Sequence, residues 1–222
     1  MSDITSNICS LKQRMPAGIK LVAVSKSRTP DEIMEAYSTG HRCFGENRVQ
    51  ELLLKVNNLP ADIEWHLVGH LQSNKVRYIA PFIAMIQSVD SLKLMRIINE
   101  EARRNNRKIS CLLQIHIAKE ESKFGFTMDD LKNVLQHEDV KKLPFINICG
   151  VMGMSTFTDD QEQIGKEFRM LVRYFTELKS CFFADSRYFN EISMGMSDDY
   201  EIAIKEGSTM IRVGSLIFGE RK

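Results

Sequence analysis

Residues 19–40 read IKLVAVSKSRTPDEIMEAYSTG, and this stretch contains the repeating unit of the fold. Its apolar run, IKLVAV, is typical of a strand that is buried on both faces, as the strands of a parallel sheet are. The TPDE sequence at 29–32 predicts the start of a helix, because it combines an N-cap threonine, a proline in the first turn and a glutamate at capping-box spacing. Gly40 is a plausible end for this helix. The stretch therefore predicts a strand, a polar turn and a helix.

The same unit recurs along the chain. Apolar runs occupy residues 19–24, 42–44, 65–68, 83–88, 109–117, 145–152, 191–194 and 210–213. Helix-like segments lie between them, at residues 49–56, 73–79, 91–104, 128–135, 161–178 and 198–205. Alternation on this scale predicts a (β/α)8 TIM barrel, preceded by an extra N-terminal helix at residues 4–15. A doubly wound open sheet is the alternative, and periodicity alone does not exclude it. No linker or change in composition divides the chain, so we expect a single domain over residues 1–222.

The composition excludes several classes of protein. The chain has 222 residues, of which 43% are hydrophobic, and 30 basic residues balance 29 acidic ones. A net charge of +1 gives no electrostatic basis for bulk binding to nucleic acid or to an anionic membrane. No apolar run approaches the roughly 20 residues of a membrane span. The N-terminus also lacks the apolar region of a secretory signal, so we expect a cytoplasmic protein.

The cysteines fit the same location. They number five and form no CxxC pair: Cys9, Cys43, Cys111, Cys149 and Cys181. Several lie inside apolar runs, where cysteine behaves as a small hydrophobic residue. We therefore predict no disulfides.

In a βα barrel, functional side chains lie where strands end and βα loops begin. The first apolar run ends directly at Ser25 and Lys26. A lysine with a desolvated amine loses proton affinity, and the neutral amine can attack a carbonyl to form a Schiff base. The simpler alternative, on position alone, is a lysine whose ammonium reaches solvent from a strand end.

Arg212 lies inside the last apolar run, and buried arginines require partners. It could bind an acceptor on a ligand, or it could form an internal salt bridge to Glu46 or Asp90. Gly214 and the serines near it offer N–H groups and hydroxyls that suit phosphate oxygens. Ser197, however, also fits an ordinary helix N-cap.

Other motifs are weaker. His66 and His70 form an HxxxH spacing, but the glutamate of a zinc protease motif is absent and no third ligand is evident, so we predict no metal site. The chain contains no GxSxG, GxGxxG or Walker sequence.

Five segments, taken together, resemble one family. They are FGENRVQE at 44–51, WHLVGHLQSNK at 65–75, ESKFGF at 121–126, SMGMSDDY at 193–200 and IRVGSLIFGER at 211–221. In order and spacing they resemble the YggS/PROSC family of pyridoxal phosphate homeostasis proteins. The resemblance extends over nearly the whole chain, from about residue 19 to 221. It implies the barrel of fold-type III pyridoxal 5′-phosphate (PLP) enzymes, similar to the N-terminal domain of alanine racemase.

The resemblance also implies roles for individual residues. Lys26 would hold PLP as a Schiff base, and Arg212 would face the pyridine nitrogen. Other residues would surround the cofactor: Asn47, His66 and Met152 beside it, and Ser193, Met194, Ser197, Gly214 and Ser215 around its phosphate.

The chain departs from the family pattern at several points. Ser215 replaces a common threonine but keeps the hydroxyl. Arg48 stands where tyrosine is common, and His116 replaces the usual asparagine of the fifth strand. The loop at 150–160, GVMGMSTFTDD, also differs from the common sequence.

We expect a carrier or regulator of PLP with no catalytic residues, which binds PLP and exchanges it with PLP-dependent apo-enzymes, and which is a monomer. The alternative is a fold-type III enzyme such as an amino-acid racemase. Racemases of that type need a second acid–base group, a tyrosine from an additional domain, and we expect no such domain after the last βα unit. A class I aldolase would explain Lys26 and a phosphate site but would leave Arg212 without a role.

Overall fold

The computed structural model describes residues 3–120 and 124–220. Eight parallel strands follow one another in sequence order and close into a barrel, with the last strand paired to the first. The strands are β1 Lys20–Val24, β2 Cys43–Glu46, β3 Glu64–Leu67, β4 Met85–Val89, β5 Ile109–Gln114, β6 Ile146–Met152, β7 Glu191–Ser193 and β8 Met210–Val213. The prediction of a (β/α)8 barrel is thereby confirmed, and the open sheet is excluded.

Helices surround the barrel, and the first of them precedes β1 as predicted. They are α1 Asp3–Arg14, α2 Pro30–Ser38, α3 Val49–Val56, α4 Val76–Ile79, α5 Leu92–Arg104, α6 Met128–Gln136, α7 Glu138–Lys141, α8 Gln161–Phe182, α9 Tyr200–Lys205 and α10 Ser215–Phe218. A short 3-10 turn, Ser73–Lys75, precedes α4. From two of the resembling segments, residues 121–123 and Arg221 lie outside the described residues.

The start of α2 follows the sequence prediction. The Thr29 hydroxyl accepts a hydrogen bond from the Glu32 N–H, and the Glu32 carboxylate accepts one from the Thr29 N–H. These two bonds satisfy backbone donors that a helix N-terminus leaves without partners. The capping box therefore fixes where the β1–α2 loop ends.

Other boundaries differ from the prediction for local reasons. We predicted a helix over 198–205, but α9 begins at Tyr200. The Asp199 carboxylate accepts hydrogen bonds from the Met196 N–H at 2.6 Å and the Ser155 hydroxyl at 2.7 Å, which holds a turn ahead of the helix. Ser197 is therefore not the N-cap residue.

The barrel separates two apolar cores. The larger core lies between the strands and the helices and includes Phe44, Phe168 and Phe189. The smaller core fills the barrel interior, and its buried members are Val22, Cys43, Met85, Leu112, Cys149, Met152 and Met210. The interior is thus rich in sulfur, and flexible thioethers fill irregular space well.

A closed barrel brings the carboxyl ends of all its strands to one rim.

In the described part of the chain, no helix is long and apolar enough to cross a membrane.

Candidate functional site at the carboxyl rim of the barrel

A cavity of about 300 Å³ opens at this rim. Its volume lies at the lower end of the range for small-molecule sites. The lining residues come from the ends of β1, β2, β3, β6, β7 and β8 and from the loops that follow them: Val24, Lys26, Arg28, Asn47, Val68, Met154, Met196, Ser197, Asp198, Arg212, Gly214, Ser215 and Gly219. Six of the residues predicted for the site are among them: Lys26, Asn47, Ser197, Arg212, Gly214 and Ser215.

Lys26 lies two residues beyond the end of β1, in a loop with an unusual backbone conformation. The Ser25 N–H donates to the Gly45 carbonyl at 2.9 Å, which extends the pairing of β1 with β2. Ser27 has φ of +62°, a left-handed conformation that is uncommon for residues other than glycine. The chain therefore turns sharply right after Lys26, and the lysine side chain reaches the cavity.

Arg212 is buried in the wall of the cavity, with 4% of its surface exposed. Its guanidinium donates to the Ser193 hydroxyl at 2.7 Å and to the Gly153 carbonyl at 3.0 Å. The salt bridge considered from sequence is not formed, because Glu46 pairs with Lys55 and Asp90 with His70. Burial lowers the pKa of Arg212 to about 10, which still leaves the guanidinium charged at neutral pH.

The contacts of Arg212 continue into the barrel as a chain of hydrogen bonds. The Ser193 hydroxyl donates to the Gln87 side-chain carbonyl at 2.7 Å, and the Gln87 amide lies 2.9 Å from His66 Nδ1. His66 Nε2 lies 3.5 Å from the Cys43 sulfur. Because arginine has only donors, the Ser193 hydroxyl must accept from Arg212 and therefore donates to Gln87. The Gln87 amide then donates to Nδ1 of His66, so the imidazole proton is on Nε2.

His66 must be neutral to accept the bond from Gln87. Burial, followed by the charge of Lys20, lowers the pKa of His66 to about 3. The chain of hydrogen bonds therefore stays intact over the physiological pH range.

The other side of the cavity suits an anion. The Gly214 N–H donates to the Ser197 hydroxyl at 3.4 Å, which leaves the proton of that hydroxyl available for an acceptor. Arg28 lines the cavity and is held by Glu32, at 3.1 Å, and by the carbonyl of Gly219. Lys26, Arg28 and Arg212 line the cavity with one carboxylate, Asp198, and Glu32 offsets the charge of Arg28, so the cavity keeps an excess of one positive charge.

Four predicted residues do not line the cavity. Ser193 lies behind Arg212, and His66 lies deeper in the interior. Met152 is fully buried in the interior core, and Met194 is fully buried in the outer core. The strand alternation points Met194 away from the barrel axis, so its side chain faces the helices.

Seven of the thirteen cavity residues were not predicted from the sequence: Val24, Arg28, Val68, Met154, Met196, Asp198 and Gly219. Arg28 lies two residues after Lys26 in the same loop, and this position could have predicted that it lines the cavity. Met154 and Met196 form the apolar wall of the cavity with Val24 and Val68.

Two departures from the family pattern have structural explanations. Arg48 is exposed at the N-cap of α3 and does not line the cavity. His116 Nε2 donates to the Glu120 carbonyl at 2.8 Å, so His116 stabilises the loop that follows β5.

At the opposite end of the barrel, one group of described residues has the atoms of a metal site. Ligand atoms of Cys43, Glu64 and His66 lie within 4.8 Å of one another. The adjoining cavity is lined by Lys12, Lys20 and Arg42, whose charges oppose a cation. We therefore assign the contact between Cys43 and His66 as a hydrogen bond.

The fold and the rim site define a class of protein, the barrel domains of the alanine racemase type. A family model described as "Alanine racemase, N-terminal domain" matches residues 1–222.

Relatives with higher sequence identity define the family more narrowly. The chain is 37% identical over 208 residues to a pyridoxal phosphate homeostasis protein of Aquifex aeolicus, an alignment that covers 91% of this chain and 87% of that protein. It is 38% identical over 214 residues to the human protein of that name, covering 91% of this chain and 76% of that protein. The solved structure of PipY from Synechococcus elongatus with PLP bound superposes with a TM-score of 0.88 at 34% identity, over 97% of this chain and 100% of that one. The chain belongs to the family of pyridoxal phosphate homeostasis proteins.

Proposed function

We propose that this protein binds PLP through Lys26 and acts in PLP homeostasis as a carrier or regulator. The observation that carries the proposal is a single cavity lined by a lysine amine, a buried arginine and the hydroxyls of Ser197 and Ser215. The bound PLP of PipY and the names of the relatives support the same conclusion.

The donor groups of the cavity fit PLP. The cofactor supplies an aldehyde that condenses with a primary amine with loss of water, and only Lys26 among the cavity residues has such an amine. Ser197, Ser215 and the cation of Arg28 provide hydroxyl donors and positive charge for a phosphate dianion. The Val24, Val68 and Met154 side chains offer apolar contact for an aromatic ring.

Arg212 would determine how reactive the bound ring is. Its guanidinium has only donors, so it can donate a hydrogen bond to the lone pair of the ring nitrogen. Because the guanidinium keeps its proton, the ring nitrogen stays unprotonated. The chain through Ser193 and Gln87 keeps the guanidinium in place. An unprotonated pyridine is a poor electron sink, and the site therefore favours retention of the cofactor over carbanion chemistry.

The surroundings of the cavity support a role without amino-acid turnover. None of the five tyrosines lines the cavity within the described part of the chain. The acid–base partner that a two-base racemase requires is thus not provided by a tyrosine of this cavity.

An absorption spectrum tests the cofactor claim. PLP added to the purified protein should produce an imine band near the edge of the visible range, which Lys26→Ala abolishes. Lys93→Ala, which removes an exposed lysine of α5, is the matched control and should keep the band. A wild-type protein that shows no such band would refute the proposal.

A second experiment tests the racemase alternative. The PLP-loaded protein is incubated in deuterated water with single L-amino acids, and exchange at Cα is followed by NMR. We expect exchange no faster than with free PLP. Rapid exchange that is lost in Lys26→Ala would instead establish catalysis.

The proposal extends to the route of delivery. We propose that a cytoplasmic monomer passes PLP to apo-enzymes on contact. Donor and acceptor separated by a dialysis membrane should then exchange PLP more slowly than when they are mixed. Equal rates would indicate a passive reservoir.

A further inference from the structure

We propose that Glu46, Glu51 and Lys55 are positioning residues that fix the loop carrying Lys26. The inference rests on the proposed function, because it assigns Lys26 as the residue that holds the cofactor. These three side chains come from β2 and α3, and they bind the backbone on both sides of Lys26.

Lys55 provides the bond before Lys26. Its ammonium donates to the Ser25 carbonyl at 2.7 Å, to Glu46 Oε1 at 2.7 Å and to Glu51 Oε1 at 2.6 Å. The Ser25 hydroxyl donates to the same Glu46 oxygen at 2.6 Å. All three donors of the ammonium are therefore used. One of these bonds holds Ser25 directly, through its carbonyl, and another holds it indirectly, through the Glu46 oxygen that also accepts from the Ser25 hydroxyl.

Glu51 provides the bond after Lys26. Its Oε1 atom accepts a hydrogen bond from the Ser27 N–H. Ser27 holds the left-handed φ of +62°, a conformation that costs energy for a residue with a side chain. The Glu51 carboxylate thus stabilises a turn that the local sequence does not favour.

Two of the three charges of this cluster, those of Glu46 and Lys55, are shielded from solvent. Lys55 is 5% exposed and Glu46 is fully buried. Buried charges of this kind interact strongly, and each must keep its partner, because a lone buried charge is costly. Burial raises the pKa of Glu46, while the bonds from Lys55 and Ser25 oppose that change.

The cluster also joins two strands of the site. Glu46 ends β2, and the next residue, Asn47, lines the cavity. A single ion-pair network thereby sets the spacing between Lys26 and Asn47. Holding a reacting amine near its target raises its effective concentration, so a loosened loop should release the cofactor faster.

The test compares Lys55→Met with Lys166→Met, which removes an exposed lysine of an ordinary surface ion pair on α8. PLP is loaded as the chromophore, and its release into excess apo-acceptor is timed from the imine band. We expect the release rate of Lys55→Met to rise about tenfold or more, and the pH midpoint of the band to move, with both unchanged in Lys166→Met.

Further variants separate positioning from stability. Glu46→Gln combined with Lys55→Met removes both buried charges, so it should recover most of the lost stability while release stays fast. Glu51→Gln, a milder change, should accelerate release by a smaller factor. Wild-type release rates in the double variant and in Glu51→Gln would overturn the inference, even if Lys55→Met does not fold.

The two proposals fail in different ways. Absence of the imine band in the wild-type protein contradicts PLP binding itself. A normal band with unchanged release rate and pH midpoint in the variants contradicts only the positioning role.

Discussion

Ser193→Ala is the sharpest test of the hydrogen-bond chain in the barrel interior. The Ser193 hydroxyl accepts from Arg212 and donates to Gln87, and it is fully buried. Alanine leaves an Arg212 N–H without its acceptor and the Gln87 carbonyl oxygen without its donor. Each buried polar group left in this way costs about 1–3 kcal/mol. For the two groups together we therefore expect the free energy of unfolding to fall by about 2–6 kcal/mol, and Tm by roughly 4–24 °C.

Urea unfolding of the cofactor-free protein, followed by far-ultraviolet circular dichroism, measures this loss. Ser180→Ala, which removes an exposed hydroxyl of α8, is the control and should change the free energy of unfolding by less than about 0.5 kcal/mol. A double-mutant cycle with Gln87→Leu adds a second criterion, because coupled residues give a double variant that costs less than the sum of the single variants.

Two outcomes would refute the chain. One is a loss for Ser193→Ala no larger than for Ser180→Ala. The other is strict additivity with Gln87→Leu, which would show that the two side chains act independently.

Three further predictions concern other parts of the molecule. Gly150→Ala should destabilise the protein far more than Gly18→Ala. Both glycines have a positive φ, but a methyl group at Gly150 would collide with the Glu191 carbonyl, whereas the space beside Gly18 is open. Comparable Tm values for the two variants would contradict this. Burial lowers the pKa of His41 from 6.5 to about 4. Between pH 6.5 and about pH 4 the unfolded chain therefore binds a proton at His41 that the folded protein does not bind. The free energy of unfolding should fall as the pH falls through this range. His41→Gln should remove about 3 kcal/mol of that loss in urea titrations at several pH values, and an unchanged pH dependence would show that other groups cause it. Arg212→Lys keeps the charge but not the two-point geometry, so PLP should dissociate about tenfold faster in stopped-flow absorbance; an unchanged rate would count against contact with the ring.

The sequence predicted the barrel and much of its rim because both depend on local patterns. The residues of β8, for example, are buried at every position, which is why MIRV appears as a continuous apolar run around an arginine. The polar residues just beyond the strand ends necessarily meet at one rim, and this placed Lys26, Ser197, Gly214 and Ser215 together.

The direction of side chains was less predictable. Strands β5 and β6 shift register between Cys111 and Leu112, and such shifts change which residues face the axis without leaving a signal in composition. His66 and Ser193 lie behind the cavity and not in its wall, where Ser193 binds Arg212 and His66 binds Gln87. Long-range pairs were also invisible: Lys55 looks like an ordinary polar residue of α3, and only the tertiary structure brings its ammonium to Ser25.

Oxidation of the methionines that fill the barrel interior can report how often the barrel opens. Met152 and Met210 are fully buried in the interior, whereas Met34 on α2 is 38% exposed. Peroxide can convert an interior methionine to the sulfoxide only when strands separate far enough to admit it. The rate of sulfoxide formation at Met210, divided by the rate at Met34, therefore measures how often strands of the closed barrel separate. Both rates are followed by peptide mass spectrometry, with no label added to the protein.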